Sequence, residues 1–383
     1  MGGGSRRCGA WAGRLELVST GLMSVGLVAG LGGCSGATTE PTPVVTAPAA
    51  GVAPPDESDL PAPMGPAFAE LPAGETAVIR PGGATTCARG APFSFFVAKG
   101  RADRVVFDFS GGGACWNAQT CAFASYLFSD TVPDAASVKP QGIYDRNNRA
   151  NPFRDWTHVF VPYCTGDVHW GDNAATYGDV TIQHKGAANV RAVLAWLFAE
   201  VKKPERLFVT GCSAGAYGSV VWAPRLRRHY PKVALAQLGD SGAGVITDSF
   251  FAESQASWRP QGSYPAWIVG DTPFASLGDI YTRVAAAYPE DTFGQFNMLR
   301  DSVQVRFFTA MGGSNADEWS QRMRASSEAI AAAAPNYRYA LAAGEEHCIL
   351  PYDTLYTKQV GGRAVVDWVA DLAEGRSASN LRD

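Results

Sequence analysis

The chain is short of charge. Only 18% of its 383 residues are charged, and 32 Lys+Arg against 36 Asp+Glu leave a net −4. No basic cluster stands out, so nucleic acid is not an expected partner. The eight cysteines include no CxxC pair, and His158, His169, His184, His229 and His347 show neither HxxxH nor HxH spacing. That pattern argues against a zinc or iron–sulfur site, and no metal is expected. Internal repeats are missing, and no Pro-rich break follows Glu70. With 46% hydrophobic and 11% aromatic residues, the composition excludes a disordered chain, a collagen-like fibre and a coiled coil.

The N-terminus carries targeting features. Arg6, Arg7 and Arg14 precede an uncharged run from Leu17 to Gly33, which ends in Leu31-Gly32-Gly33-Cys34. A basic start, a short apolar run and small residues before the cut mark a secretory signal over 1–33. Closure on a cysteine resembles the bacterial lipobox, with Cys34 as the lipidated first residue of the mature chain. The expectation is an exported protein of a bacterial cell envelope, held at a membrane through that lipid. Eight prolines lie between Pro41 and Pro66, so residues 34–70 read as a disordered tether. Residues 71–383 read as one folded domain.

Within that domain, apolar β-branched and aromatic runs alternate with helical stretches. The strand runs are 93–98, 104–109, 158–162, 206–210, 233–238 and 337–342. The helical stretches are 186–200, 216–228, 280–287, 316–334 and 364–374. This alternation predicts an α/β fold with a mostly parallel sheet and helices on both faces. In such sheets, ligands bind beyond the C-terminal strand ends, so the loops after each strand are the ones that matter.

The run Leu207-Phe208-Val209-Thr210-Gly211-Cys212-Ser213-Ala214-Gly215 takes a buried strand through GxSxG into a helix. This is a nucleophile elbow, and Ser213 is the expected nucleophile. The amide of Ala214, at the helix start, faces a developing anion. A second strand leads into Ser110-Gly111-Gly112-Gly113-Ala114-Cys115-Trp116. Its free backbone amides, at Gly112 and Gly113, suit an oxyanion hole, and no GK[ST] follows to suggest a phosphate loop. In this fold the order is Ser, then Asp or Glu, then His. Only His229 and His347 follow Ser213. His229 sits among Arg225, Arg227 and Arg228 and reads as a helix cap; His347 follows the last strand run and is the expected base. For the acid, Asp240 in Gly239-Asp240-Ser241-Gly242 and Asp301 in Leu299-Arg300-Asp301-Ser302 both fit the order, and spacing does not choose between them.

These motifs together resemble the pectin acetylesterase family, which includes the animal protein-lipid deacylase Notum. The matching pieces are Gly111-Gly112 with Cys115 nearby, Pro162-Tyr163-Cys164-Thr165-Gly166-Asp167, Gly211-Cys212-Ser213-Ala214-Gly215, Asp240-Ser241-Gly242, the Asp301 segment and His347-Cys348. The resemblance implies an α/β-hydrolase-like fold and a Ser–His–Asp esterase that needs no cofactor. By position it carries the acid onto Asp301, ahead of a short Gln-containing helix, and leaves Asp240 as a supporting or substrate-side residue. It also puts Asp167 on the substrate side. This chain departs from Notum at Gly113, where Notum has a bulky aromatic, so a long-chain lipid substrate is not implied.

Export permits disulfides. Cys212 adjoins Ser213 and Cys348 adjoins His347, so contact between Ser and His brings those cysteines together. Cys115 and Cys121 suit a local bridge beside the oxyanion loop, which leaves Cys87 with Cys164. Trp116 and Trp170 are candidates to stack on sugar rings. The expected activity is removal of acetyl or other short acyl groups from a polysaccharide such as pectin, since no long apolar lid segment is evident. The alternatives are a general carboxylesterase or lipid deacylase, and a non-catalytic carbohydrate-binding surface protein on the same scaffold.

Overall fold

The computed structural model describes residues 57–122 and 127–383. The signal over 1–33, the lipidation site Cys34 and the tether up to residue 56 lie outside the described residues. Residues 57–70, expected in the tether, lie against the domain instead. Asp59 pairs with both Arg191 and Arg225, and the Trp196 indole donates to the Pro66 carbonyl. The domain therefore begins well before residue 71.

A nine-stranded sheet organises the described residues. Strand β1 is Thr76–Ile79, β2 Phe95–Ala98, β3 Arg101–Phe109 and β4 Trp156–Val161. After the hairpin β5 (Asn173–Tyr177) and β6 (Val180–His184) come β7 (Arg206–Cys212), β8 (Ala234–Asp240), β9 (Thr292–Met298) and β10 (Tyr337–Ala342). The short pair β11 (Gln359–Val360) and β12 (Arg363–Ala364) precedes β13 (Leu381–Arg382). The sheet order is β1-β2-β4-β3-β7-β8-β9-β10-β13. Only the β1–β2 and β2–β4 pairings are antiparallel.

The helices are α1 (Ala118–Cys121), α2 (Gly186–Glu200), α3 (Ala214–His229), α4 (Asp248–Trp258), α5 (Ala266–Val269), α6 (Leu277–Ala287), α7 (Ser302–Ala310), α8 (Ala316–Ala333) and α9 (Val365–Ala373). Residues 105–109 of β3 and 207–211 of β7 are buried without interruption, as central parallel strands covered on both faces must be. One apolar cluster packs α2, α3 and α6 on the first face, with Trp196, Trp222 and Tyr281 at its heart. The other packs α9 on the second face, around Phe208, Phe296 and Trp368. Among the described residues no helix is long and apolar enough to cross a membrane.

The expected strands and helices all appear, with ends shifted by a few residues. Strand β9, helix α4 and the β5–β6 hairpin carry weaker signals and were not expected, whereas α7 is the short Gln-containing helix that the resemblance implied after Asp301. β9 reads Thr-Phe-Gly-Gln-Phe-Asn-Met. Its polar residues Gln295 and Asn297 are buried, so it lacks the apolar run that marks a central strand.

Candidate active site

The loops after β3, β7 and β10 converge at one sheet edge. Ser213 stands between β7 and α3 with φ 58° and ψ −119°, a backbone conformation that L-residues rarely adopt. Glycine is required around it. A Cβ on Gly215 would lie 1.9 Å from the Phe109 carbonyl oxygen, and one on Gly211 2.4 Å from the backbone of Gly215. The Ser213 amide donates to the Asp240 carbonyl at 2.8 Å, which ties the turn to the end of β8.

The glycine loop after β3 passes directly beside this turn, since a Cβ on Gly111 would come within 2.9 Å of the Ser213 Cβ. Gly113 has φ 77°, and a Cβ there would sit 1.9 Å from the Leu127 carbonyl oxygen. A bulky side chain at this position is therefore excluded by the path of the chain. The amides of Gly112 and Gly113 have no acceptor among the described residues, while Ala114 donates to Leu127. The Ala214 amide opens α3, where no intrahelical acceptor exists. Buried His169 supports the loop from behind. Its Nε2–H donates to the Ser110 carbonyl at 2.9 Å, and burial lowers its pKa to about 4, so the ring is neutral.

His347 lies in the loop after β10. Its Nδ1 is 2.8 Å and 2.9 Å from the two carboxylate oxygens of Asp301. Asp301 is fully buried and caps α7, accepting from the amides of Val303 and Gln304. The Gln304 side-chain amide donates to it as well, at 3.0 Å, and to Asn297. Three donors besides the imidazole thus fix the carboxylate. The Nε2 of His347 is buried without a partner among the described residues and lines the same cavity as Ser213.

That cavity has a volume of about 70 Å³. Its walls are largely apolar and come from α4 and α7 as well as from the loops, with Phe250, Phe251, Phe307, Phe308 and Met311 prominent. Two helices thus supply an apolar wall without any long apolar run in the sequence. Gly113, Ala214 and Trp170 also line it.

Most of the remaining expected residues fall elsewhere. Trp116 is 3% exposed and does not line the cavity, whereas Trp170, 5% exposed, is part of its wall. Trp116 packs edge-on against Phe250, and the Trp170 indole donates to the Tyr217 carbonyl. Asp167 is buried among the Thr165 hydroxyl and the amides of His169 and Gly186, and burial pushes its pKa up to about 7. Asp240 is fully buried, and neither aspartate lines the cavity. His229 lies on Phe198 and bonds Glu57 rather than standing free in solvent.

Disulfides join Cys87 to Cys164, Cys115 to Cys121 and Cys212 to Cys348. The last fastens the base loop to the nucleophile turn. Gln304, Ser241 and His169 were not singled out from sequence. Of these, only Gln304 carries a signal, its place three residues after a capping aspartate.

A family model described as pectinacetylesterase matches residues 76–258. The matched segment contains Ser213 and ends before Asp301 and His347. Pectin acetylesterase 11 of Arabidopsis thaliana is 25% identical over 200 residues, 47% of this chain and 50% of that protein. Pectin acetylesterase 4 of the same plant is 25% identical over 146 residues, 36% of this chain and 34% of that protein. The chain thus spans half or less of the curated relatives it matches. Among solved structures, the Wnt deacylase Notum from Drosophila superposes with a TM-score of 0.61 at 18% identity, covering 78% of this chain and 93% of that one. A second crystal form gives 0.57, also at 18% identity. This likeness shows the α/β-hydrolase-like fold.

Proposed function

We propose, from the pectinacetylesterase match over residues 76–258, that the chain is a pectin acetylesterase-like serine carboxylic ester hydrolase acting on short acyl esters. The observation that carries the reading is that Ser213 and the Asp301-held His347 share one cavity beside two unpaired glycine amides.

In this reading Ser213 Oγ attacks the ester carbonyl while His347 Nε2 takes its proton. Asp301 holds the Nδ1–H tautomer and steadies the imidazolium. The oxyanion accepts from the amides of Gly112, Gly113 and Ala214. The imidazolium then returns its proton to the leaving alcohol. Water, deprotonated by His347, attacks the acyl-serine and releases the acid and the free hydroxyl. The step needs no redox partner or cofactor.

The size of the cavity bears on the acyl group. A volume of about 70 Å³ is room for about five water-sized sites. A cavity of this size suits an acetyl or butyryl group, which supports the short-acyl reading. The names of the plant relatives favour acetyl on a polysaccharide as the natural ester. The dry walls favour the second reading, a general short-chain carboxylesterase, for which any alcohol suffices. Comparing acetylated pectin with p-nitrophenyl acetate, butyrate and palmitate separates the two. Pectin deacetylation supports the first, and small esters alone support the second.

Three disulfides fit an oxidising compartment, and the basic start, short apolar run and Leu31–Cys34 box support a mature start at a lipidated Cys34. Mass analysis that finds an unmodified Cys34 or an intact Met1 overturns the anchor. A wild-type protein whose Ser213 resists a serine-directed phosphonate overturns the esterase reading.

A further inference from the structure

Asp240 stands at the end of β8, between the nucleophile turn and the base loop, and touches both. Its carbonyl accepts from the Ser213 amide at 2.8 Å. Its carboxylate Oδ2 accepts from the amides of Ile349 and Leu350, each at 2.8 Å. These residues immediately follow His347 and Cys348. Next to it, the Ser241 hydroxyl accepts from the Cys348 amide at 2.8 Å. Both Ser241 and Cys348 have positive φ, 55° and 66°, so this junction stays in place only while surrounding contacts hold it.

The carboxyl is fully buried, and its Oδ1 has no partner among the described residues. One oxygen of the group is thus committed to the base loop, while the backbone carbonyl of the same residue is committed to the nucleophile turn.

We propose that Asp240 is the positioning residue that clamps the base loop to the nucleophile turn, setting the reach of His347 Nε2 toward Ser213. This rests on the serine esterase reading. The titratable groups that share its field are His347, Asp301 and Tyr144. Burial pushes its pKa up to about 7, against the two amide bonds and the His347 charge. Asp301 thus touches Nδ1, and Asp240 holds the backbone that carries the ring.

The test uses the full chain, a fluorophosphonate probe and p-nitrophenyl acetate. Asp240→Ala should slow phosphonate labelling of Ser213 and lower kcat by about 10- to 100-fold, with KM unchanged. Asp240→Asn retains an acceptor for the two amides and should restore both to within a few-fold of wild type, about 1 kcal/mol or less. A clamp with no bearing on chemistry would lower only the denaturation temperature. Should Asp240→Ala not fold, Asp240→Ser, too short to reach both amides, carries the same expectation. Wild-type labelling rates in Asp240→Ala or Asp240→Ser overturn this inference alone. A wild type that never labels at Ser213 overturns the esterase reading and this inference with it.

Discussion

The turns at the active edge and the turns remote from it solve the same backbone problem in opposite ways. Remote turns such as Gly82, Gly178 and Gly362 reach positive φ with glycine, and nothing lies within 4 Å of a Cβ placed on them. At the active edge, Val168, His169, Ser213, Ser241 and Cys348 do so with side chains. Among described non-glycine residues with positive φ, only Arg259 lies outside these loops. Such conformations cost about 1–3 kcal/mol each. They are held by the Cys212–Cys348 disulfide, by the amide bonds to Asp240 and by the burial of Val168 and His169. Strain is concentrated where side chains must be aimed, and glycine is used where only the path of the chain matters.

The largest effect expected at this edge is chemical. Ser213→Ala and His347→Ala should each lower kcat by about 10³-fold or more, and the double variant little further, because the pair acts as a unit. Asp301→Asn should cost less than Ser213→Ala with the fold intact, since it removes orientation rather than the nucleophile. Full activity in Asp301→Asn would move the acid role away from the only carboxylate that reaches His347 among the described residues.

Next comes the clasp. Replacing Cys212 and Cys348 together with serine opens a crosslink between residues 136 apart in sequence and should lower unfolding free energy by about 3–5 kcal/mol. In urea titrations, activity of the variant should vanish before the far-ultraviolet signal does. Coincident loss would mean that the base loop is no weaker than the sheet.

A smaller pair of substitutions contrasts the two kinds of turn. Gly178→Ala, with open space around it, should cost about 1 kcal/mol for the left-handed backbone alone. Gly215→Ala puts a methyl group 1.9 Å from the Phe109 oxygen and should prevent accumulation of folded protein. Equal melting temperatures for the two variants would erase the distinction.

The smallest expected effect is on pH dependence. Folded Asp167 keeps its proton up to about pH 7, where an ordinary aspartate loses it near 3.8. The native state therefore binds more protons than the unfolded chain between about pH 4 and 7, and this group's contribution to stability falls as pH rises through that window. Buried His169 and His184, lowered to about 4 from 6.5, act oppositely: their contribution is lost as pH falls from about 6.5 to 4. Asp167→Asn should shrink the drop in melting temperature between pH 5 and 8. An unchanged drop would show that Asp167 ionises normally.

What was legible in the sequence was local or ordered along the chain. Strand, GxSxG and helix are consecutive, so Ser213 and the Ala214 amide could be placed from a few residues. The buried parallel strands announce themselves as apolar runs, and adjacency of Cys212 to Ser213 and of Cys348 to His347 foretold their bridge. Other features depended on contacts between distant segments. Asp240 and Asp301 are equivalent in order, and only the fold sets one carboxylate against Nδ1 and turns the other to the amides of Ile349 and Leu350. The apolar cavity is assembled from α4 and α7, whose phenylalanines lie more than fifty residues apart and form no continuous run. Trp116 and Trp170 could stand in a core or against a sugar, and packing placed Trp116 in the core and Trp170 in the cavity wall. Sequence by itself determined which groups are next to one another along the backbone. Tertiary structure decided which are next to one another in space, because packing and hydrogen bonding act across the sheet edge without regard to chain distance.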